Sequence, residues 1–394
     1  MNPDRACPVC GGGDSKLLFE QRFEELSGAR LLDGYAIVVC RDCGAAFAGH
    51  IPEQAVFDDY YRELSKYEGG EPAAARPPAI EKRFEDAATW VAEFIPARDA
   101  RILEIGCGFG QFLWVLRQRG FSNLLGADPS PGCARAAKQF YGVPVIDRTV
   151  FTLERPDIPY DFLILIGVME HIRDLDRTIG RLHDLLSPTG RVYVEVPDAS
   201  RLESGMDAPF QEFSVEHINY FSPVSLNNLM TRRGFRVVAS GQALRPLHEV
   251  ACRTAYGVYE RSREPAALVR DAETEPGLLA YIDGCRHQDA HLREKIRRAI
   301  PEGGRMLVWG VGAHTLRLLA TGGLAIEWVE AFVDSNSKYQ RRDLCGVRVI
   351  SPEEVRSRPE PILVSSRGFQ REIHDQIRNG LGLTNPVILL YGGV

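Results

Sequence analysis

The sequence predicts an α/β protein whose central element is a doubly wound, mostly parallel sheet, and two observations carry that prediction. A buried strand at 101–105 runs directly into a glycine-rich turn, which is followed by a helix at 111–119. The same order of strand, glycine turn and helix returns at 305–320. In sheets of this kind the ligand lies at the carboxyl ends of the strands, so each turn is a candidate site.

Length and composition indicate more than one globular domain and exclude some partners. The 394 residues are 44% hydrophobic and 25% charged, with a formal net charge of −6 and a pI of about 5.9. This balance gives no electrostatic reason to expect a nucleic-acid partner. The longest apolar run, 162–169, is too short for a membrane span, and no signal-peptide pattern opens the chain. We therefore expect a cytoplasmic protein with no membrane association, whose nine cysteines are thiols or metal ligands.

Two C-x-x-C-G motifs near the N-terminus predict a metal site. The stretch CPVCGG begins at Cys7, and the stretch CRDCG begins at Cys40. The glycine after each pair allows a tight turn in which backbone amides point at the sulfurs. Four unrelated thiols or a redox pair are the alternatives. The predicted ligands of a tetrahedral, structural Zn²⁺ with no open coordination position are Cys7, Cys10, Cys40 and Cys43.

Strands and helices alternate from residue 101 to residue 197. The second strand, NLLGAD, ends with Asp128, and a helix begins near Pro131. The stretches VPVI, YDFLILIG and GRVYVEVP supply three more strands, and TIGRLHDLL forms a helix between the last two. This alternation is typical of a nucleotide-binding sheet.

The first glycine turn has the form E-x-G-x-G-x-G, with the glutamate inside the end of the strand. Its spacing differs from the dinucleotide motif, and it resembles motif I of the class I S-adenosylmethionine (SAM) methyltransferases. The resemblance implies that the glycines let the backbone approach the methionine part of SAM. It also implies that the carboxylate after the second strand accepts hydrogen bonds from both ribose hydroxyls. Helix capping and surface charge are the alternatives for the two acids. The cofactor-binding residues implied are Glu104, Gly106, Gly108, Gly110, Asp128 and, more weakly at the adenine rim, Asp147.

The tripeptide E-H-I occurs twice, and both copies fall where a substrate could meet the cofactor. Glu170 and His171 follow the fourth strand, while Glu216 and His217 lie in the segment after the fifth. Both segments could reach the rim of one cleft, so we expect one site built from two loops. A scaffold role for His171 and a packing role for His217 are the alternatives. The Ser-Pro pair at 222–223 predicts an N-cap and a first helical turn just beyond the second copy.

The order of these features resembles the sugar C-methyltransferases, which act on nucleotide-linked 4-keto-6-deoxyhexoses. The resemblance covers nearly the whole chain, from Cys7 to the SPEEV stretch at 351–355. The domains that it implies are a zinc-binding domain at 1–70, a SAM-dependent methyltransferase domain at 71–258, a helical connector at 259–300 and a smaller Rossmann-like domain at 301–394.

The same resemblance implies the catalytic residues. They are the glutamate and histidine of the second E-H-I, the histidine of the first, and a tyrosine from the zinc-domain side. We assign Tyr67 as that tyrosine and leave Tyr60 and Tyr61 as alternatives. The family often has a tyrosine two residues before its glutamate, and here that position is Ser214. This departure bears on the identity of the substrate more than on the type of reaction. The implied catalytic set is His217, Glu216, His171 and Tyr67.

These side chains suit methylation of a carbon beside a ketone. Such a carbon becomes nucleophilic only after its α-proton is removed, and a histidine with an adjacent acid can act as the base. The enolate oxygen needs a hydrogen-bond donor, which a second histidine or a tyrosine supplies. O-methylation would need much the same base, so the preference for carbon comes from the resemblance. A class I methyltransferase acting on a different small metabolite, at carbon or oxygen, is the alternative function.

The C-terminal stretch repeats the glycine turn with Gly310 and Gly312, and its second strand ends in Asp334. A glycine turn before a helix suits an anion, and the resemblance implies that this domain helps to hold the diphosphate of a nucleotide-sugar. There are two alternatives: a duplicated domain that only packs against the first one, and an NAD-binding site of an oxidoreductase. The expected partner is a small-molecule substrate, a nucleotide-sugar, and the expected oligomeric state is a monomer or a homodimer.

Overall fold

The computed structural model describes residues 5–27, 31–63, 78–205, 208–247, 250–264, 266–300 and 304–392. The chain folds into two compact units. Unit 1 comprises residues 1–18, 36–205 and 216–279, and unit 2 comprises residues 19–35, 206–215 and 280–394. The C-terminal unit therefore includes two short segments from earlier in the chain.

The elements of secondary structure follow the strand and helix alternation expected from the sequence. The helix expected at 111–119 and the strand expected to end with Asp128 are both confirmed. The helices are α1 (Gln54–Glu63), α2 (Pro78–Val91), α3 (Gln111–Gln118), α4 (Pro131–Ala136), α5 (Leu175–Leu185), α6 (Pro223–Thr231), α7 (Thr274–Ala299), α8 (Ala313–Ala320) and α9 (Gln370–Asp375). The strands are β1 (Ser15–Arg22), β2 (Gly34–Cys40), β3 (Ala46–Gly49), β4 (Ile102–Ile105), β5 (Leu124–Asp128), β6 (Val145–Asp147), β7 (Tyr160–Ile166), β8 (Leu186–Pro197), β9 (Asn219–Tyr220), β10 (Phe235–Leu247), β11 (Val250–Arg261), β12 (Met306–Trp309), β13 (Val329–Val333), β14 (Asp343–Leu344), β15 (Val347–Ile350), β16 (Ile362–Val364) and β17 (Val387–Leu389).

Unit 1 contains a seven-stranded sheet in the order β10-β11-β8-β7-β4-β5-β6. The strands from β8 to β6 pair in parallel, β11 joins β8 antiparallel, and β10 pairs antiparallel with β11 at the edge. The strand order reverses beside β4, because β5 lies on one side of it and β7 on the other. A ligand crevice therefore belongs outside the carboxyl ends of β4, β5 and β7. The predicted α/β fold class is confirmed.

A second, four-stranded sheet in the order β1-β2-β3-β9 joins the cysteine-rich segment to the middle of the chain. Strand β9 is only two residues long, and it pairs antiparallel with β3 through Ala46–Tyr220 and Phe47–Asn219. The helix α6 begins directly after it, with Ser222 as N-cap in a capping box with Ser225. The N-cap expected from the Ser-Pro pair is thus confirmed.

Unit 2 contains a six-stranded sheet in the order β14-β15-β13-β12-β16-β17. Strand β12 pairs in parallel with β13 on one side and with β16 on the other. The early segments of the unit contact this domain or each other: Leu26 forms a β-bridge with Leu344, and the Tyr35 hydroxyl donates to the Ser214 carbonyl at 2.7 Å. The second Rossmann-like sheet is confirmed. Across the described ranges of both units, none of the helices combines the length and the apolar character needed to span a bilayer.

A buried histidine in unit 2 makes the stability of the folded protein sensitive to acid. The Nε2 atom of His314 lies 2.9 Å from the Tyr391 hydroxyl, and within the described residues its Nδ1 atom has no hydrogen-bond partner. Burial, helped by the charge of Arg317, lowers the pKa of His314 from 6.5 to about 3. The folded chain therefore keeps this imidazole neutral at pH values where the unfolded chain would protonate it.

Acidification should destabilise the wild-type protein through His314, because between pH 6.5 and 3 only the unfolded state binds the proton. Stability is lost as the pH falls below the unfolded pKa, by about 2 kcal/mol for this residue between pH 7.5 and 5. Urea unfolding of the wild type and of His314→Gln at both pH values measures the effect, and the variant should show the smaller difference. The exposed His287→Gln is the matched control and should behave as the wild type. Equal pH dependence in all three proteins would contradict the assignment.

Candidate active site and metal site

The glycine turn after β4 brings the backbone close to the loop that follows β7. Gly106, Gly108 and Gly110 all have positive φ (70°, 50° and 74°), a conformation that side-chain-bearing residues rarely adopt. At Gly106 an added Cβ would lie 2.5 Å from Cγ2 of Val168, so the position has no room for a side chain. Val168 comes two residues before Glu170, and the turn therefore lies against the start of the first E-H-I segment.

Asp128 is held at the end of β5 with both carboxylate oxygens engaged. Its Oδ2 accepts the Gly108 N–H at 2.9 Å, and its Oδ1 accepts the Ser130 N–H at 3.0 Å. Burial raises the pKa of Asp128. Each carboxylate oxygen can accept a further hydrogen bond, so the group suits the two hydroxyls of a ribose. Asp147 is the register partner of Asp128 on β6, but its side chain is exposed.

Glu104 lies in the strand preceding the turn and is 3% exposed. Its Oε2 atom is buried and, among the described residues, has no hydrogen-bond partner. Burial, followed by the negative charge of Asp128, raises the pKa of Glu104 well above its usual range. A buried carboxylate of this kind gains from a cationic or hydrogen-bond-donating ligand. The methionyl ammonium of SAM is such a group, so the residues of the turn fit this cofactor.

The two E-H-I segments meet in unit 1. The first forms a single 3-10 turn, Met169–His171, and the N–H of Ile218 in the second donates to the carbonyl of Glu170 at 2.9 Å. The imidazole rings of His171 and His217 lie edge to face, with centroids 4.9 Å apart and an interplanar angle of 68°. The two segments therefore form one cluster at the carboxyl end of β7.

Two tyrosines of α1 contact this cluster. The Tyr60 hydroxyl donates to Oε1 of Glu216 at 2.9 Å. The Tyr61 hydroxyl lies 3.0 Å from Nδ1 of His171, and the same nitrogen lies 3.0 Å from the carbonyl oxygen of Glu216. Tyr67, the tyrosine assigned from the sequence, lies outside the described residues.

Sequence reasoning missed the residue that holds the two loops together. Asn219, 2% exposed, donates through Nδ2 to the carbonyls of Met169 and Ile172, both at 2.8 Å. Its Oδ1 atom accepts a hydrogen bond from Arg5 at 2.8 Å. In the sequence Asn219 is a polar residue between two hydrophobic ones. That pattern does not distinguish a buried residue with structural hydrogen bonds from a residue at the surface.

The four cysteine sulfurs of the N-terminal motifs converge in unit 1, all within 4.8 Å of one another. The Cys7 and Cys43 sulfurs are 3.6 Å apart, and those of Cys10 and Cys40 are 3.5 Å apart. A tetrahedral zinc with Zn–S bonds of 2.3 Å separates its sulfurs by about 3.8 Å, whereas a disulfide bond is about 2.05 Å long. The thiol hydrogen bond from Cys43 lowers the pKa of Cys7 to about 5, and this contact also raises the pKa of Cys43. The sulfur geometry fits a bound metal of the zinc type.

Comparisons with known proteins agree with this geometry. Residues 79–240 match the family model described as a methyltransferase domain, and residues 303–389 match one described as C2185-like, N-terminal. The C-methyltransferase NovU of Streptomyces niveus is 25% identical over 416 aligned positions, which cover 95% of this chain and 92% of that protein. This similarity spans both units and confirms the resemblance indicated by the motifs.

Other similarities cover a smaller part of this chain. A ubiquinone biosynthesis O-methyltransferase of Azorhizobium caulinodans is 31% identical over 104 residues, covering 25% of this chain and 41% of that protein. Among solved structures, the 1,6-didemethyltoxoflavin-N1-methyltransferase of Burkholderia thailandensis aligns with a TM-score of 0.42 and 18% identity, covering 57% of this chain and 98% of that one.

Replacing Asp128 with alanine should weaken SAM binding by about tenfold to a hundredfold, since a buried carboxylate that accepts two hydroxyl hydrogen bonds would be lost. Isothermal titration calorimetry with SAM measures the change. Asp147→Ala, which removes an exposed carboxylate on the neighbouring strand, should have a smaller effect. Unchanged affinity in Asp128→Ala would overturn the ribose assignment.

Replacing Cys43 with serine should remove the bound zinc, expected at about one ion per wild-type chain, because a hydroxyl is a poor substitute for a thiolate ligand. Elemental analysis of the purified proteins gives the zinc content, and thermal unfolding should show a lower midpoint for the variant. Cys345→Ser, a change at an exposed thiol of unit 2, should keep both zinc and midpoint. Full zinc content in Cys43→Ser would contradict the four-cysteine site.

Proposed function

We propose that this chain, which is a SAM-dependent methyltransferase similar over nearly its full length to a C-methyltransferase, methylates the carbon beside the ketone of a nucleotide-linked keto-deoxysugar. The observation that carries the proposal is the histidine pair, His171 and His217, at the carboxyl end of the sheet. Val168, in the same loop, packs against the glycine turn at Gly106. A base and a hydrogen-bond donor therefore lie beside the part of the fold that binds the cofactor.

In the proposed reaction His217 removes the α-proton of the substrate. The C–H bond breaks, the proton passes to an imidazole nitrogen, and the electron pair enters the enolate. His171 donates a hydrogen bond to the enolate oxygen, on which negative charge accumulates. Glu216, whose carboxylate accepts the Tyr60 hydroxyl, supports the histidine next to it in the chain. SAM supplies a methyl group on a sulfonium sulfur, and the electron pair of the broken S–CH₃ bond stays on sulfur when the methyl passes to carbon.

The other two sites have supporting roles in the proposal. The four cysteines would hold a structural zinc, since four thiolate ligands complete a tetrahedral coordination sphere. In unit 2, Asp334 accepts the N–H groups of Val311 and Asn336, both at 2.8 Å. This repeats the arrangement of Asp128 with its glycine turn, and it supports binding of a phosphate or nucleotide group by unit 2.

A test in D₂O separates proton removal from methyl transfer. The wild type with SAM and a panel of nucleotide-linked 4-keto-6-deoxyhexoses should give a product with one added carbon-bound methyl group, detected by mass spectrometry and ¹³C NMR. His217→Asn should lose turnover by about a hundredfold or more, together with deuterium incorporation, while SAM affinity stays within about twofold. His287→Asn, at an exposed position, is the matched control.

Two outcomes would change the proposal. Persistent exchange and turnover in His217→Asn would show that another group is the base. Confirmed SAM binding with no product and no deuterium uptake across the panel would favour a methyltransferase for a different small metabolite.

A further inference from the structure

Glu170 is a buried acid beside the histidine pair to which the proposed reaction gives no role. Its side chain is 4% exposed, and its Oε1 atom lies 3.9 Å from Nε2 of His171. One ligand atom from each of Glu170, His171 and His217 lies within 4.8 Å of the others. The carboxylate therefore lies close enough to stabilise the protonated form of either imidazole.

Hydrogen bonding determines which nitrogen of His171 faces this acid. The carbonyl oxygen of Glu216, 3.0 Å from Nδ1, can only accept a hydrogen bond, so Nδ1 must carry a proton. Tyr61 also lies at Nδ1, and its hydroxyl can accept as well as donate. Nδ1 is thus occupied from two sides. Nε2 is the nitrogen that faces Glu170.

We infer that Glu170 is a positioning residue that keeps Nε2 of His171 protonated, so that His171 is the hydrogen-bond donor to the enolate oxygen and His217 is the base. The inference rests on the proposed function, because it assigns separate roles to the two histidines of that site. A carboxylate within about 4–6 Å favours the charged form of an imidazole.

The charges around the pair balance under this assignment. Among the described residues, the titratable groups that face it include Tyr60 and Tyr61 of α1, Glu216 and His217 of the second segment, and Glu170 and His171 of the first. When His217 takes the α-proton, two imidazolium groups stand opposite two carboxylates. Without Glu170 the second imidazolium would form next to the first with one carboxylate fewer nearby, which disfavours proton transfer.

The same three side chains could hold a divalent cation, and the distance between Glu170 and His171 favours a proton instead. Ligand atoms about 2.1 Å from a tetrahedral metal ion lie about 3.4 Å from each other. The Glu170–His171 separation of 3.9 Å is longer than that spacing. It is within the range of an ion pair between a carboxylate and an imidazolium.

Imidazole ¹⁵N NMR of the histidine-labelled protein tests the inference without any substrate, so its result is independent of the proposed function. His171→Asn and His217→Asn assign the two resonance sets. In Glu170→Gln, the titration of His171 should move to lower pH by about one unit or more, and its neutral form should carry the proton on Nδ1. Glu170→Asp, which keeps the charge, should shift it less, and the exposed Glu154→Gln should leave it unchanged. An unchanged His171 titration in Glu170→Gln would overturn the inference.

Two further measurements distinguish an electrostatic role from a structural one. On an accepted substrate, the alkaline limb of the kcat/KM profile should move to lower pH in Glu170→Gln, while SAM affinity stays within about twofold. If Glu170→Gln does not fold, Glu170→Asp should still show an intermediate His171 titration, and a wild-type titration there would also overturn the inference. Addition of Mn²⁺ to the wild type should leave the His171 and His217 signals sharp. Selective broadening of both signals would instead identify a cation site and contradict the protonation role.

Discussion

The amide of Asn219 makes the contact on which the candidate active site depends. Its two hydrogen bonds reach the carbonyls of Met169 and Ile172, at either end of the 3-10 turn that carries Glu170 and His171. A turn of three residues satisfies few of its own backbone groups, so these buried carbonyls need an outside partner. Leaving them unpaired would cost about 1–3 kcal/mol each. Together with the hydrogen bond from the Ile218 N–H to the Glu170 carbonyl, this side chain fixes the position of the first loop relative to the second.

The cluster of four cysteines belongs to the same hydrogen-bonded network. The N–H of Asp271 donates to the carbonyl of Cys43 at 2.8 Å, and its carboxylate accepts the Ser222 hydroxyl at 2.5 Å and the Thr274 hydroxyl at 2.6 Å. Gly44 allows this approach, because an added Cβ would lie 2.0 Å from the Asp271 carbonyl oxygen. Ser222 caps α6 directly after β9. A metal ion held by the four cysteines would thereby stabilise the strand that carries Asn219, without taking part in the proposed chemistry.

Much of the fold and part of the candidate site could be predicted from sequence. The glycine turn, the acid ending the next strand and the doubled C-x-x-C-G motifs are short patterns with a direct backbone cause, and the structure has each in the expected place. The contacts of Tyr60 and Tyr61 could not be chosen from three tyrosines in one stretch, because helical phase does not say which face meets a loop 110 to 156 residues away. The sequence also contains no pattern that predicts that residues 19–35 belong to unit 2.

The sequence by itself determined the elements whose geometry is local: the parallel sheet, the cofactor turn, the cysteine set and the N-cap of α6. Only the tertiary structure decided that the two E-H-I segments form one cluster, and which nitrogen of His171 lies against a backbone carbonyl. That carbonyl belongs to a residue 45 positions away, in the segment just before the two-residue strand β9, which pairs with β3. Short-range patterns encode backbone conformation, whereas such a contact depends on long-range pairing and buried hydrogen bonds that no periodicity records.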